Sequence, residues 1–392
     1  MDVLLTDEEM MVSSTAREFL EGECSTALVR KIEEDLKGYA PELWAKAAEM
    51  GWTGMCLPDA FGGQELPLVY LGLVMQEVGR ALAPIPLLST AVASIALARA
   101  GSPEQKARVL PGVVEGKTIM TWGFSEKDPR FLPSTVHMTA VAEGDHFVLN
   151  GSKMFVDNFA ASDYCLLACR TSAATSAGEG LTLLLVDSRS EGISNIPLKT
   201  LARDSQSEVI FNNVRVPSAN LVGQLNQGWP VMQDMLDLAT VLLTAQMLGA
   251  TRMDAEMAID HAKYREAFGQ PIGAFQSIQH MCADMIIWID GGELLTYEAL
   301  WKMDMGMPAR VEVSQAKAFC NEKCVAVVRN SQSIHGGIGF MMEFDLHLWL
   351  RRVTAWATRL GTSFEHRERV AHALLDCPGQ VVLGQPVPPV PG

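Results

Sequence analysis

Hydrophobic positions along the chain change their spacing twice. Up to about residue 118 they recur at helical intervals. LTDEEMMVSSTAREFLE opens on Thr6 with Glu9 three residues later, the signature of a capping box. PELWAKAAEMGW has Pro41 at its start and Gly51 at its end, as helix boundaries favour. VYLGLVMQEVGRAL, STAVASIALARAG and SPEQKARVLPGVVEGK complete this helical region. From residue 119 the apolar residues alternate. STVHMTAVAEGDHFVLNGSKMFVDN, DYCLLACRT, LTLLLVDS and EVIFNNVRVP read as strands, and Asn150–Gly151 predicts a two-residue hairpin turn. No helix-length pattern separates these strands, which favours an antiparallel barrel or sandwich over a doubly wound sheet. From Trp229 the spacing is helical again through three long segments, and a last helix starts near Asp345. Within that last segment the pair Gly361–Thr362 marks a turn or a stop.

The expected organisation is therefore an N-terminal all-α domain (1–118), a middle antiparallel β-barrel domain (119–228) and a C-terminal four-helix-bundle-like α domain (229–377). The Pro/Gly-rich stretch 378–392 is expected to be disordered. With 392 residues, 48% of them hydrophobic and 20% charged, the chain can bury a large core. Its formal net charge of −15 argues against nucleic acid and against an anionic membrane surface. The most apolar run, 84–100, is broken by Pro, Ser and Thr, so no membrane insertion is expected. MDVLLTDEEMM lacks a basic start followed by an apolar run, so it does not read as a signal peptide. Eight cysteines form no C-x-x-C pair and no zinc-like spacing. They are expected to be small buried hydrophobes in a reducing cytoplasm.

Four segments carry candidate chemistry. In YREAFGQPIGAFQ, Arg265 suits a phosphate, Phe268–Gly269 allows close backbone approach, and Gln276 offers an amide. In SIHGGIGFMMEFDLHLWLRR, the glycines place backbone N–H groups where a pyrophosphate could meet them. His335 has no nucleophile or carboxylate beside it in sequence. HFVLNGSKMFVDN presents Phe155 and Asp157 on one side of a strand and Val156 on the other. TWGFSEKD opens the β region.

These segments, in this order on an α–β–α chain, resemble the acyl-CoA dehydrogenase family over nearly the whole length. The R-E-A-F-G, N-G-x-K and H-G-G-x-G-F stretches carry the resemblance. It implies FAD bound between two subunits, with an arginine, a phenylalanine, a glutamine and a glycine loop lent by one chain to its neighbour. Those positions are Arg265, Phe268, Gln276 and Gly336–Gly337. It also implies flavin-side positions at Phe124, Ser125, Phe155, Asp157 and Ser333. The implied reaction is α,β-dehydrogenation of an acyl-CoA thioester, with an electron-transfer flavoprotein-like acceptor, in a dimer of dimers.

The same resemblance locates what is missing. The family's catalytic glutamate precedes a Gly-Thr pair or lies on the first bundle helix, and those positions are Leu360 and Ala239. An arginine that follows the second site and contacts CoA is Thr240, the strand hydroxyl that approaches the flavin is Asp157, and the glutamine before the glycine loop is Ser333. The Thr-Glu-Pro segment is reduced to Ser125–Glu126–Lys127–Asp128. HLWLRR further resembles the two-gene α2β2 subfamily. The expectation is a base-less subunit that completes a partner's flavin site. The alternatives are a homomeric flavoenzyme with a relocated base, for which Asp157, Asp237 and Glu365 are the candidates, and a non-catalytic protein reusing the fold.

Overall fold

The computed structural model of the protein describes residues 5–173 and 178–377, so the expected disorder of 378–392 lies outside the described residues. The chain divides into two compact units, one of Met1–Glu18, Leu68–Arg80 and Leu243–Gly392, the other of Phe19–Pro67 and Ala81–Leu242. Among the described residues no helix is long and apolar enough to cross a membrane.

The first six helices are α1 (Asp7–Glu23), α2 (Thr26–Ile32), α3 (Pro41–Glu49), α4 (Leu68–Arg80), α5 (Leu87–Ala100) and α6 (Pro103–Val114). The capping box expected at α1 forms. Thr6 N donates to Glu9 Oε2 at 2.7 Å and Glu9 N to Thr6 Oγ1 at 3.2 Å. A second box, Ser102 with Gln105, starts α6. There the Gln105 amide also donates to the carbonyls of Ala219 and Leu221, each at 2.8 Å.

The sheet comprises β1 (Met120–Gly123), β2 (Thr139–Glu143), β3 (His146–Asp157), β4 (Tyr164–Arg170), β5 (Leu181–Asp187), β6 (Ile193–Pro197), β7 (Gln206–Pro217) and β8 (Leu221–Val222). Its order is β6-β7-β3-β2-β4-β5-β8, with β1 beside β4. Most pairings are antiparallel, but β1 runs parallel to β4 and so does the single pair joining β2 to β4. Among the described strands the hydrogen-bonded path ends at β6 and β8 without closing. The strands pack over one core and form the middle β domain expected between the two helical regions. Phe147, Leu149, Cys165, Leu167, Cys169, Val186 and Phe211 lie in that core. Burial pushes the Cys165 and Cys169 thiols up, which keeps them protonated and inert.

The hairpin turn does not fall at Asn150–Gly151. β3 runs through that pair, and the turn from β2 is at Gly144–Asp145, with Gly144 at φ 64°. Asn150–Gly151 instead marks a register shift against β7. Gly151 adopts φ 143°, and the Asn150 side chain bonds with Asn213 on the neighbouring strand. An Asn-Gly pair supplies the same backbone freedom to a bulge as to a turn, so the dipeptide alone does not separate the two.

The remaining elements are α7 (Trp229–Tyr264), the two-residue strands β9 (Glu266–Ala267) and β10 (Gln270–Pro271), α8 (Gln276–Asp304), α9 (Arg310–His335), a 3-10 turn (Gly336–Phe340), α10 (Leu346–Trp356) and α11 (Ser363–Leu375). The helix expected from Asp345 is thus two helices. Asp304, at the end of α8, accepts from the first N–H groups of α4, those of Leu68 and Val69. α4 meets the part of α7 beyond Leu242 backbone to backbone. A Cβ on Gly79 would lie 1.8 Å from the Gln246 carbonyl oxygen, and one on Gly249 1.7 Å from that of Gln76.

Candidate functional site

The Arg265 segment is a tight hairpin. Gln270 pairs with Ala267 and Pro271 with Glu266, which leaves Phe268 and Gly269 as the two turn residues. Their φ values of 55° and 82° are those of a type I′ turn. Phe268 is 95% exposed and meets Phe275 edge-on at 6.1 Å. Arg265 is exposed, and its guanidinium makes no ion pair among the described residues. Its amide continues α7 onto the His261 carbonyl at 2.9 Å, and its carbonyl accepts from Ile272 N at 2.8 Å. Gln276 is the exposed first residue of α8, and no side chain caps that helix start.

The glycine loop follows α9 directly. Gly336 adopts φ 62° and ψ −136°, a conformation reserved for glycine. Nothing lies within 4 Å of a Cβ built on Gly336 or on Gly337. The bareness of Gly337 therefore has no steric reason inside the chain, and it leaves the loop open to close approach from outside. An exposed guanidinium, an exposed aromatic face, an uncapped helix start and this open loop suit an anionic, planar dinucleotide such as FAD. Ser333, one turn earlier, is exposed, but its hydroxyl donates to its own helix at the Arg329 carbonyl, 3.0 Å away.

A third group surrounds Leu360, and it is built with care around an aliphatic residue. Leu360 is 6% exposed and sits at φ 58°, followed by Gly361 at φ 110°. His366 Nε2 donates to the Leu360 carbonyl at 2.9 Å, and its Nδ1 accepts from Ser314 Oγ at 3.2 Å. Asn321 Nδ2 donates to the Gly361 carbonyl at 3.1 Å, and Lys317 Nζ to the Trp356 carbonyl at 2.8 Å. Burial, with Arg369 and Lys317 nearby, pushes His366 down to about 3, and burial takes the Lys317 ammonium down to about 7. Thr362 caps α11 through a box with Glu365, whose Oε2 accepts from Thr362 N and Oγ1 at 2.8 Å each. Glu365, a candidate base from the sequence, is committed to this cap. His366, Asn321, Ser314 and Lys317 were not singled out from the sequence. The T-S-F-E spacing at 362–365 was the one available signal, because it marks a helix start directly after the turn.

The strand-side residues belong to the other unit. Phe155 takes φ 55° at a register shift of β3 and is 49% exposed, while Asp157 is half-buried and its carbonyl accepts from Thr121 Oγ1 at 2.5 Å. Phe124 and Ser125 have enclosed side chains. Phe124 stacks on Phe131 at 6.0 Å and leans on Trp229 at 6.0 Å. Beside them Glu126 is buried with Lys153, Oε1 to Nζ at 2.8 Å, and also accepts from the amides of His137 and Met138. Ala239 is fully buried, and Thr240 turns its hydroxyl onto the Leu236 carbonyl at 2.6 Å.

Models for the N-terminal, middle and C-terminal domains of acyl-CoA dehydrogenases match residues 6–117, 121–214 and 226–375. The 3-(aryl)acrylate reductase of Clostridium sporogenes is 29% identical over 95% of this chain and 100% of its own. The CarC subunit of the caffeyl-CoA reductase–Etf complex of Acetobacterium woodii is 28% identical over 91% of this chain and 96% of its own. Among solved structures, a variant of the Tcur3481–Tcur3483 steroid ACAD superposes with a TM-score of 0.84 at 28% identity, covering 94% of this chain and 98% of that one. Butyryl-CoA dehydrogenase from Megasphaera elsdenii superposes with a TM-score of 0.88 at 25% identity, covering 96% and 100%.

Proposed function

The chain belongs to the acyl-CoA dehydrogenase family, FAD-dependent oxidoreductases acting on CH–CH bonds, and from that premise we propose that it is a subunit without a catalytic base. Its task is to lend Arg265, Phe268, Gln276 and the Gly336–Gly337 loop to the flavin of a second, base-bearing subunit of the same family. One observation carries the reading. The turn at Leu360–Gly361–Thr362 is held by His366, Asn321 and the Thr362 cap, yet the residue it presents is aliphatic.

Bound FAD would supply the acceptor for the hydride that leaves the β carbon of the acyl thioester. The α proton must go to a base, and neither Leu360 nor Ala239 can accept one. What this chain can supply is binding and orientation. Arg265 neutralises phosphate charge, the glycine loop gives backbone N–H groups, and Phe268 covers an apolar face. Asp157 adds support, because a carboxylate next to an electron-rich reduced flavin is unfavourable where water is scarce. Three relatives are named for ring-bearing substrates: an arylacrylate, caffeyl-CoA and a steroid. Acyl-CoA thioesters carrying a ring system are therefore the substrate class to try first.

The test is flavin stoichiometry. Expressed alone, the chain should purify with little FAD and no turnover. Co-expressed with a base-bearing partner, the complex should hold about one FAD per pair and desaturate acyl-CoA. Full FAD occupancy with turnover in the lone chain overturns the reading.

A further inference from the structure

Two imidazoles lie behind the lent surface. His261, one turn before Arg265 at the end of α7, stacks on His335, the residue directly before Gly336 at the end of α9. Their ring centroids are 4.5 Å apart with 25° between planes, and both rings are buried. Arg265 N bonds to the His261 carbonyl, so the hairpin hangs from one member of the pair and the glycine loop from the other. Resting on the lending role proposed above, we infer that His261 and His335 are positioning residues: as a neutral stacked pair they dock the Arg265 hairpin to the Gly336 loop, and protonating the pair releases both elements together.

The geometry makes protonation unwelcome from every side. His335 Nδ1 donates to the Ser331 carbonyl at 2.9 Å, so an added proton must sit on Nε2, which is buried and has no hydrogen-bond partner among the described residues. A charge there would face the second ring at stacking distance. His261 has the phenol of Tyr264 at 3.3 Å and feels the Arg265 guanidinium, a fixed positive charge. Phe344 covers the outer edge of His335 at 5.4 Å. From α9 come Ser331 and the buried Gln332. From α7 comes Asp254, fully buried, its carboxyl raised well above the usual carboxylate range by that burial. The neighbouring part of α8 brings Ile278, Met281, Met285 and Cys282 to the adjacent cluster, and burial raises the Cys282 thiol so that it stays neutral.

Both imidazoles are lowered, by burial first and for His261 also by His335 and Arg265. A histidine with a depressed folded-state value is neutral in the native protein while its unfolded counterpart takes up protons. The docking is therefore intact above the ordinary imidazole range, about 6.5, and is lost as pH falls below it.

The test follows amide hydrogen exchange of the full chain, alone, at pH 8 and pH 5, corrected for intrinsic rates. Segments 264–272 and 336–342 should lose protection together, by about fivefold or more, at the lower pH. In His335→Phe, which keeps a ring but cannot be charged, both should hold their protection within about twofold. PH-independent exchange in the wild-type chain, a response in one segment only, or an unchanged response in His335→Phe overturns the inference. Should that variant not fold, imidazole NMR shifts of the wild-type chain decide. The two histidines should titrate as a linked pair below the ordinary range, and independent titration within it overturns the inference. None of these readouts needs FAD or a partner, so they stand apart from the flavin stoichiometry that tests the lending role.

Discussion

The imidazole of His366 reaches back across the turn to hold the carbonyl of Leu360, Nε2 to O 2.9 Å. The ring is fully buried and its value is pushed down to about 3, so it is neutral in the folded protein at any ordinary pH. The unfolded chain binds a proton at about 6.5, so the sign is fixed: stability is full above that value and falls as pH drops from there toward 3. At pH 5 the gap of about 1.5 units corresponds to a loss of about 2 kcal/mol. Urea unfolding at pH 7.5 and pH 5 checks this. His366→Gln, which can donate to the same carbonyl but does not titrate, should lose distinctly less on acidification. Equal losses in the two proteins would remove His366 as the cause.

The proposed lending role separates two substitutions that a self-sufficient enzyme would not. Leu360→Ala in the assembled complex should leave turnover within about twofold, because the aliphatic residue handles no proton. Arg265→Ala should weaken FAD binding by about one to two orders of magnitude, the loss of charge-assisted hydrogen bonds worth about 1.5–3 kcal/mol. Arg265 is exposed and makes no ion pair among the described residues, so the melting temperature of the lone chain should hardly move. Flavin fluorescence titration of the complex reads the first effect and thermal melting of the single chain the second.

Local chemistry that closes within a few residues was legible in the sequence. Thr6 with Glu9 and the Ser102–Pro103 entry both start helices where their spacing predicts. The two long-helix regions and the strand region between them followed from periodicity alone. Asn150–Gly151 misled because a bulge and a turn ask the same backbone freedom of a dipeptide, and only pairing with β7 separates them. The support beneath Leu360 was invisible for a different reason. Ser314, Lys317 and Asn321 come from α9, about 40 or more residues before the carbonyls or the ring they serve, and no local pattern encodes a bond of that span. The Arg265 segment stood out as candidate chemistry because its residues are contiguous, although its hairpin turn did not.

Lys153 carries a stability prediction. Its ammonium is completely buried and bonds to Glu126 Oε1 at 2.8 Å and to the Phe124 carbonyl at 3.0 Å. Lys153→Met leaves the buried Glu126 carboxylate with only the His137 and Met138 amides, and should cost about 3–5 kcal/mol. The double variant Lys153→Met, Glu126→Leu should lose less than the sum of the single changes, because it leaves no uncompensated charge. Chemical denaturation of the four proteins closes the cycle. Additivity would mean the two side chains are not energetically coupled.

Phe268 occupies a place that the isolated chain has no reason to give it. A left-handed backbone strains a bulky residue such as Phe by about 1 kcal/mol or more, and here it is combined with 95% exposure of the phenyl ring. Asn is the residue a type I′ turn prefers at that position, and it would relieve the strain while withdrawing apolar surface from water. Phe268→Asn should therefore stabilise the lone chain, by about 0.5–1 kcal/mol, and at the same time weaken the assembled complex. A ring this exposed contributes only when a second surface covers it, and burying it against a partner is worth about 1.5–3 kcal/mol. The two effects have opposite signs, so one variant tests both: unfolding of the single chain should move up and the dissociation constant of the pair should rise about tenfold or more. A variant that stabilises the chain and assembles as tightly as the wild type would show that nothing covers Phe268 in the complex.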